Sequence, residues 1–358
     1  MNKEPDLTTN SPAPPANLPI QVNSTGAGGL SITLPLTITV ALGVPGTLQQ
    51  PASSGGEVPY PPIVETPEEE AISIDPDYSN RQGYNANFLG TGTKRVALPQ
   101  LSAALKAKAA ENSEATGADN YLIPYHHFTI VMNRERKLAF YTAVNIDGKK
   151  HFSIKRETDR WIMDPRIDDV FQAGEAVYKN NPLDRGHLVR RLDPAWGSSQ
   201  TLAKFANDDT FHFTNCSPQH QDFNQGQTLW AGLEDYILNN AKAEDLKVTV
   251  FTGPVFATND RKYRGIKLPK QFWKVVTIVN PDTGKLSATA YLLSQASLIS
   301  NLEAEVFSYG AYRTFQVRVK KVEDLTGLKF GNLATFDPLN VQEAALVREV
   351  NTYEEITF

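Results

Sequence analysis

Three short stretches in the second half of the chain carry most of its chemically versatile residues. They read LDRGHL at 183–188, TNCSPQ at 214–219 and FNQG at 223–226, and the last leads into a helical pattern at 229–237. His187 stands two residues after Arg185 with only a glycine between them, which suits a polar site better than a packed core. With the amide of Asn224 and the carboxylate of Glu234, the chain has a base, a cation, a neutral oxygen ligand and an acid. Such a set can hydrolyse a phosphodiester with one hard metal ion.

His187 is the candidate general base. Phosphodiester hydrolysis needs an activated water, neutralisation of charge at phosphorus and help for the departing 3′ oxygen. An imidazole near its ordinary pKa takes a proton at neutral pH without further tuning. The other histidines have no comparable surroundings and are interpreted as satisfied, half-buried side chains: His126, His127, His151, His212 and His220.

Asn224 is the candidate metal ligand. A neutral amide oxygen, with water and phosphate oxygens in the other positions, suits Mg²⁺, which gives up its water reluctantly. The only cysteine is Cys216 and no pair of histidines has helical ligand spacing, so the sequence offers no zinc site. The alternative role for Asn224 is the N-cap of the helix that follows, and the two roles are compatible. For Glu234 the alternative is an ordinary surface carboxylate.

These motifs together resemble the DNA/RNA non-specific endonucleases, which include the Serratia-type nucleases and mitochondrial endonuclease G. The match consists of DRGH at 184–187, TNCSPQ at 214–219, NQG at 224–226 and WAGLE at 230–234, with further similarity at 145–148, 251–256 and 272–274. It extends from about residue 77 to about residue 331. The resemblance implies a ββα-metal, or His-Me finger, site in which a β-hairpin carries the histidine and the following helix carries the asparagine.

The resemblance also implies roles for individual residues. His187 would be the general base, Asn224 the Mg²⁺ ligand and Glu234 the residue that orients metal-bound water, while Asn215 would shape the site near the histidine. Glu234 follows Asn224 by two residues more than in the Serratia-type pattern, so the first turn of the helix must absorb an insertion.

Arginines complete the implied site. Arg185 lies within the DRGH motif, and the family uses a further arginine upstream to hold the scissile phosphate. Here Arg160 is the first candidate and Arg156 the second, since spacing does not decide between them. Arg190, Arg191 and Lys204, with the basic residues at 261–270, either extend a phosphate-binding surface or are ordinary solvated surface.

The implied activity is that of a Mg²⁺-dependent endonuclease, with Mn²⁺ as a substitute, that cleaves DNA, RNA or both and leaves 5′-phosphate ends. Because the expected contacts are with phosphate, little base specificity is predicted. The alternative is a catalytically idle nucleic-acid-binding or scaffold protein on the same fold. A serine hydrolase using Ser217 with His187 and Asp184 is rejected, because no nucleophile-elbow pattern is present.

Hydrophobic periodicity predicts an α+β fold with a largely antiparallel sheet and flanking helices. The predicted strands are at 128–132, 138–144, 210–214, 246–252, 272–280 and 286–293. The predicted helices are at 99–110, 225–243, 297–307 and 341–347.

Composition limits the protein class. A net charge of -5 argues against whole-molecule attraction to nucleic acid and favours a locally basic cleft. A single cysteine excludes an intramolecular disulfide, and no Sec-type signal or membrane-spanning run is visible, so a cytoplasmic location without membrane contact is expected.

Composition also divides the chain into segments. Residues 1–29 are predicted to be disordered, and 45–76 form a Pro-, Gly- and acid-rich linker. Between them, residues 30–44 alternate apolar and polar side chains as a strand does. This strand either packs on the protein's own core or docks a protein partner, an inhibitor or a second copy, which its isolation favours. The nuclease-like domain is assigned to 77–335, and 336–358 to a tail with a short helix.

Overall fold

The computed structural model describes residues 21–25, 29–33, 72–225, 230–299, 314–340 and 347–350, of which 21–25, 29–33 and 347–350 are described by their backbone alone. The chain divides into two compact units, Met1–Val64 and Glu65–Phe358. In the described part of the chain, no helix has the length and apolar character to cross a bilayer.

The smaller unit contains a β-hairpin of β1 (Gln21–Thr25) and β2 (Gly29–Thr33), with Gln21 opposite Thr33. The described part of the predicted 30–44 strand therefore pairs with residues that the sequence assigned to the disordered segment. Glycines at 26 and 28 separate two runs that contain β-branched residues, which is a hairpin pattern. The prediction instead followed the longer alternation after residue 30. Residues 34–44 lie outside the described residues.

The larger unit contains the remaining strands and the α-helices. The strands are β3 (Ile123–Pro124), β4 (Phe128–Asn133), β5 (Leu138–Asp147), β6 (Leu183–His187), β7 (Cys216–His220), β8 (Lys247–Val255), β9 (Arg261–Tyr263), β10 (Ile266–Leu268), β11 (Gln271–Val279), β12 (Leu286–Ser294), β13 (Thr314–Val317) and β14 (Val347–Val350). The helices are α1 (Ala103–Lys106), α2 (Gln200–Asp209), α3 (Gln221–Gln225), α4 (Trp230–Ala243), α5 (Ala296–Ile299) and α6 (Val319–Thr326).

One eight-stranded sheet organises this unit, in the order β14-β13-β12-β11-β8-β5-β4-β3. Every neighbouring pair in it is antiparallel, so the predicted α+β class is confirmed. The unit is larger than the predicted 77–335 domain at both ends. Ile72 is already buried, and β14 adds an edge strand from the region assigned to a tail. Val347 therefore lies in a strand rather than in the helix predicted at 341–347, whose other residues are outside the described part.

Both faces of the sheet are covered. On β11, Phe272 and Val276 belong to one buried cluster, which also contains residues of α4. Trp273 and Val275 belong to another, which contains residues of α6. Because successive side chains of a strand point to opposite faces, α4 and α6 cover opposite sides of the sheet. Burial on both faces explains why these strands are nearly continuous apolar runs.

Two predicted elements have other bounds or another form in the structure. The helix predicted at 99–110 is reduced to α1, whose first turn is capped by the Ser102 side chain, which accepts a bond from the Leu105 N–H at 3.3 Å. The strand predicted at 210–214 is replaced by a 3₁₀ turn, Phe213–Asn215, and the strand β7 begins just after it. The described residues of the helix predicted at 225–243 are helical: Gln225 ends the described part of α3, and 230–243 form α4, while 226–229 lie outside the described residues. Of the helix predicted at 297–307, α5 is the described part.

Candidate active site

A two-stranded sheet separate from the large one carries the DRGH motif. β6 and β7 pair antiparallel with His187 opposite Cys216 and Gly186 opposite Ser217, and α3 follows β7 directly. Gly186 is required by close packing, because a Cβ at this position would lie 2.1 Å from the side-chain oxygen of Gln219. Strand, strand and helix thus form the ββα unit that the motifs implied.

His187 lies against two aromatic rings at the end of β6. Its ring centroid is 4.7 Å from that of Trp161 and 5.0 Å from that of Phe211, which stands perpendicular to it. Burial, and then the charges of nearby arginines, lower the pKa of His187 to about 3. The imidazole is therefore neutral at neutral pH, and its Nε2 has no hydrogen-bond partner among the described residues.

Asn224 is held by Asp184 of the DRGH motif. Its Nδ2 donates to Asp184 Oδ2 at 3.0 Å, and Nε2 of Gln225 donates to the same oxygen at 2.8 Å. Because a carboxylate only accepts, the nitrogen of the Asn224 amide must face Asp184, which leaves Oδ1 for another partner. Asn224 lies within α3, so the structure does not place it as the N-cap of a helix.

Glu234 is not a surface carboxylate, since it is only 7% exposed. Nζ of Lys274, on β11, donates to Glu234 Oε1 at 3.1 Å and lies 4.1 Å from the centroid of the Trp230 ring. Burial raises the pKa of Glu234, and the Lys274 charge opposes that rise. Residues 226–229, between Asn224 and Glu234, lie outside the described residues.

His187, Asn224 and Glu234 line one cleft of about 620 Å³. Its remaining lining residues are Arg156, Asp159, Trp161, Asp184, Arg185, Arg190, Arg191, Leu192, Gln225 and Ala231. Four arginines and three carboxylates therefore share the cleft, as expected for a site that receives an anion beside a cation.

Two of the three candidate arginines lie on the cleft. Arg156, the second candidate, lines the cleft, whereas Arg160, the first candidate, is not among the lining residues. Arg156 is paired with Asp159 at 2.7 Å. Arg185 lines the cleft and is paired with Glu175, to which its Nε donates at 3.0 Å.

Asn215 is completely buried and does not line the cleft. Its Oδ1 accepts from the Val189 N–H at 2.9 Å, and its Nδ2 donates to the carbonyls of Val189 and Thr210, each at 2.9 Å. It therefore ties the chain that leaves β6 to the loop that enters β7.

Sequence reasoning missed two charged residues behind the cleft. Lys274 could have been noticed, because it is the one charged residue in the sequence of β11. Asp193 gave no comparable signal. It is buried, and burial followed by the charge of Glu234 raises its pKa to about 7.

The cleft suits a hydrated, oxygen-binding metal better than a fully protein-coordinated one. Among the described residues, no group of three His, Cys, Asp or Glu side chains could hold a metal ion. The fixed amide oxygen of Asn224, with the carboxylates of Asp184 and Glu234 on the same cleft, fits Mg²⁺, which keeps several of its waters.

This arrangement defines a ββα-metal type of site on an α+β fold. The family model of the DNA/RNA non-specific endonucleases matches residues 106–335, and the chain belongs to that family.

Individual proteins are also similar to this chain in sequence. An uncharacterized protein, y4fB, of Sinorhizobium fredii is 40% identical over 268 residues, which cover 71% of this chain and 40% of that protein. Nuclease 1, mitochondrial, of Schizosaccharomyces pombe is 27% identical, covering 57% of this chain and 64% of that one. Endonuclease G, mitochondrial, of Homo sapiens is 28% identical, covering 49% and 59%. The chain thus spans less than two thirds of each of these relatives.

A solved structure of a complex of EndoG with EndoGI is also similar. It aligns with a TM-score of 0.46 and 20% identity over 61% of this chain and 87% of that chain.

Proposed function

We propose that the protein is a metal-dependent endonuclease that hydrolyses phosphodiester bonds of DNA, RNA or both and leaves 5′-phosphate ends. The observation that carries the proposal is that His187, with a free Nε2, and Asn224, with a fixed amide oxygen, line the same cleft. Membership of the DNA/RNA non-specific endonuclease family supports it.

His187 is the proposed general base. In the free protein its low pKa keeps the imidazole neutral, so Nε2 is able to accept a proton from an attacking water. The surrounding arginines contribute to that low pKa, and a bound phosphate would offset their charge. Substrate binding is therefore expected to raise the pKa of His187 and to make it a stronger base.

The proposed metal is Mg²⁺, with Mn²⁺ as a substitute, and when bound it supplies Lewis-acid stabilisation of the charge that develops on phosphate oxygens. Asn224 would hold it through Oδ1, and Asp184 keeps that amide turned the right way. Glu234, fixed by Lys274, is placed to accept hydrogen bonds from water in the cleft. The protein would thus hold its metal with few side chains.

Arginines would bind the substrate. Arg156 and Arg185 line the cleft and are each paired with one exposed or half-exposed carboxylate, Asp159 and Glu175. Phosphate can compete for them, since exposed ion pairs are worth only about 0–1 kcal/mol. Contacts of this kind are made to the backbone of a nucleic acid and predict little base specificity.

The test is cleavage of single- and double-stranded DNA and RNA by the full chain with Mg²⁺, with Mn²⁺ and with EDTA. His187→Ala should lower turnover by about 10²–10⁴-fold, the usual contribution of a general base. His220→Ala is the matched control, because His220 ends the same hairpin but does not line the cleft. A parent protein that binds these nucleic acids but cleaves none of them would instead be the idle binding protein on the same fold.

We also propose that the 30–44 segment docks a protein partner, an inhibitor or a second copy, on the strength of its alternating apolar residues. Leu36→Asp combined with Ile38→Asp in the full chain should lower the mass measured in solution, or abolish capture of the partner. An unchanged assembly state together with unchanged partners would remove this proposal.

A further inference from the structure

Arg191 differs from the other arginines of the cleft in how it is held. It is half-buried, and its Nη1 donates to the backbone carbonyl of Ile154 at 3.0 Å and to Oδ1 of Asn207 at 3.1 Å. Both acceptors are neutral. The guanidinium is therefore fixed in position by two acceptors that supply no counter-charge.

Its neighbours are paired with acids. Arg156 pairs with Asp159, Arg185 with Glu175 and Arg190 with Asp235. Arg191 forms no ion pair with a carboxylate anywhere in the described ranges, and no described residue accepts a hydrogen bond from its Nε or Nη2.

The surroundings of Arg191 disfavour its positive charge. Burial lowers the pKa of Arg191, and the charges of Arg156 and Arg190 lower it further; the charge of Asp159 opposes this shift but does not cancel it. An anion placed beside these like charges would relieve their repulsion, because opposite charges at close range favour the charged form. The missing counter-charge is therefore best supplied by a ligand.

We propose that Arg191, together with Arg156, binds a phosphate of the nucleic acid that is adjacent to the one being cleaved. This inference rests on the proposed function. The scissile phosphate must lie between His187 and Asn224, on β6 and α3, whereas Arg191 is anchored to Ile154 and to Asn207 of α2. A cleft of about 620 Å³ falls within the range of sites for whole small ligands and exceeds the space that one phosphate needs.

The chemistry of the side chain fits this ligand. A guanidinium is planar and presents its N–H groups as a fork that matches two oxygens of one phosphate, and a lysine cannot reproduce that geometry. Because Arg191 is already immobilised by two hydrogen bonds, little further ordering is needed when the phosphate binds.

The test is a salt titration of oligonucleotide binding by the full chain carrying His187→Ala, which prevents cleavage. Adding Arg191→Ala should lower the slope of log K against log salt by about 0.9 for duplex DNA, or about 0.7 for a single strand. Affinity at fixed salt should weaken on the order of tenfold, as expected for one charge-assisted contact. Arg191→Lys should retain the slope but lose part of the affinity.

Arg134→Ala is the matched control, because Arg134 is also bonded to a backbone carbonyl, that of Ala107, but lies outside the cleft. It should leave the slope at the parent value. An unchanged slope in Arg191→Ala, or an equal decrease in Arg134→Ala, would overturn the proposal. If Arg191→Ala does not fold, the same comparison is made between Arg191→Gln and Arg191→Lys, of which only the first should lose slope.

A second measurement separates this subsite from the scissile site. In the protein with His187 intact, Arg191→Ala should reduce kcat/KM more for an oligonucleotide than for a nitrophenyl ester with a single phosphodiester. Equal losses on the two substrates would place Arg191 at the scissile phosphate and overturn the inference. If the parent cleaves neither substrate, the proposed function fails, while the salt titration still decides whether Arg191 binds phosphate.

Discussion

Lys274 of β11 lies directly against Glu234 of α4, with Nζ 3.1 Å from Oε1 and both side chains almost completely buried. Nζ also donates to Oγ1 of Thr252 at 3.3 Å and lies over the ring of Trp230. A lysine of the central sheet thus holds the side chain of Glu234, one of the carboxylates that line the cleft, and favours its charged form.

Replacing Lys274 by Met should therefore destabilise the protein. The change leaves Glu234 buried without its cation, and breaking a buried ion pair from one side lowers the free energy of unfolding by about 3–5 kcal/mol. Unfolding in denaturant would measure this loss. The double variant Lys274→Met with Glu234→Gln removes both charges and should recover much of it. Equal stability of the single and double variants would mean that the pair is not coupled.

Gly186 should tolerate no side chain unless Gln219 is shortened. A Cβ at position 186 would meet the buried side chain of Gln219 at 2.1 Å, and overpacking of this kind destabilises a protein by about 1–3 kcal/mol. Gly186→Ala should accordingly lower both the unfolding midpoint and nuclease activity. In a double-mutant cycle, adding Gln219→Ala should restore stability, and two purely additive losses would contradict the packing argument.

The elements that the sequence predicted well are those with regular apolar patterns. The strands β4, β5, β8, β11 and β12 all lie where alternating or continuous apolar residues predicted them. Burial in a sheet requires apolar side chains at regular positions, and these are visible in the sequence. The motif residues around His187 were also brought to one cleft. In contrast, the 3₁₀ turn at Phe213–Asn215 replaced a predicted strand, since it depends on tertiary hydrogen bonds made by buried Asn215.

The arginines show a second limit of sequence reasoning. Arg156 and Arg160 are the same residue type in one irregular segment, so the sequence does not distinguish them. Only the folded structure places Arg156 on the cleft. The pairing of Arg191 with neutral oxygens rather than with an acid depends on Ile154 and Asn207, which are far from it in sequence. No periodic sequence pattern marks such contacts. Whether an arginine pairs with an acid or with a neutral oxygen is therefore known only from the folded structure.

Asp184→Asn should weaken the binding of the catalytic metal and leave the stability of the fold largely unchanged. The carboxylate of Asp184 forces the nitrogen of the Asn224 amide towards itself, and an amide at position 184 could satisfy either orientation. The Mg²⁺ concentration that gives half-maximal cleavage should rise by about 10–100-fold, as is usual when a residue that orients a ligand is lost. Gln225→Ala removes the other donor to the same carboxylate oxygen and should change this concentration less. A larger effect from Gln225→Ala would show that Asp184 does not act through Asn224.

Acid should destabilise the protein partly through His127, which lies away from the cleft. Burial, and then the charge of His126, lower its pKa to about 3, and its ring centroid is 3.6 Å from that of Trp196. In the unfolded chain a histidine has a pKa of about 6.5, so between these two values the unfolded state binds the additional proton. Stability contributed by this group is thus intact above pH 6.5 and is lost as the pH falls, by about 1.4 kcal/mol per pH unit.

His127→Asn tests this assignment, because asparagine tolerates the left-handed backbone (φ 69°) at this position and does not titrate. The variant loses the packing on Trp196 and should be less stable at pH 7.5. Its unfolding free energy should nevertheless fall less steeply than that of the parent between pH 6 and pH 4. The measurement is denaturant unfolding of both proteins at several pH values in that window. The difference between the two curves reports His127 together with its electrostatic coupling to the adjacent His126. Parallel curves would show that His127 takes up its proton while the protein is still folded.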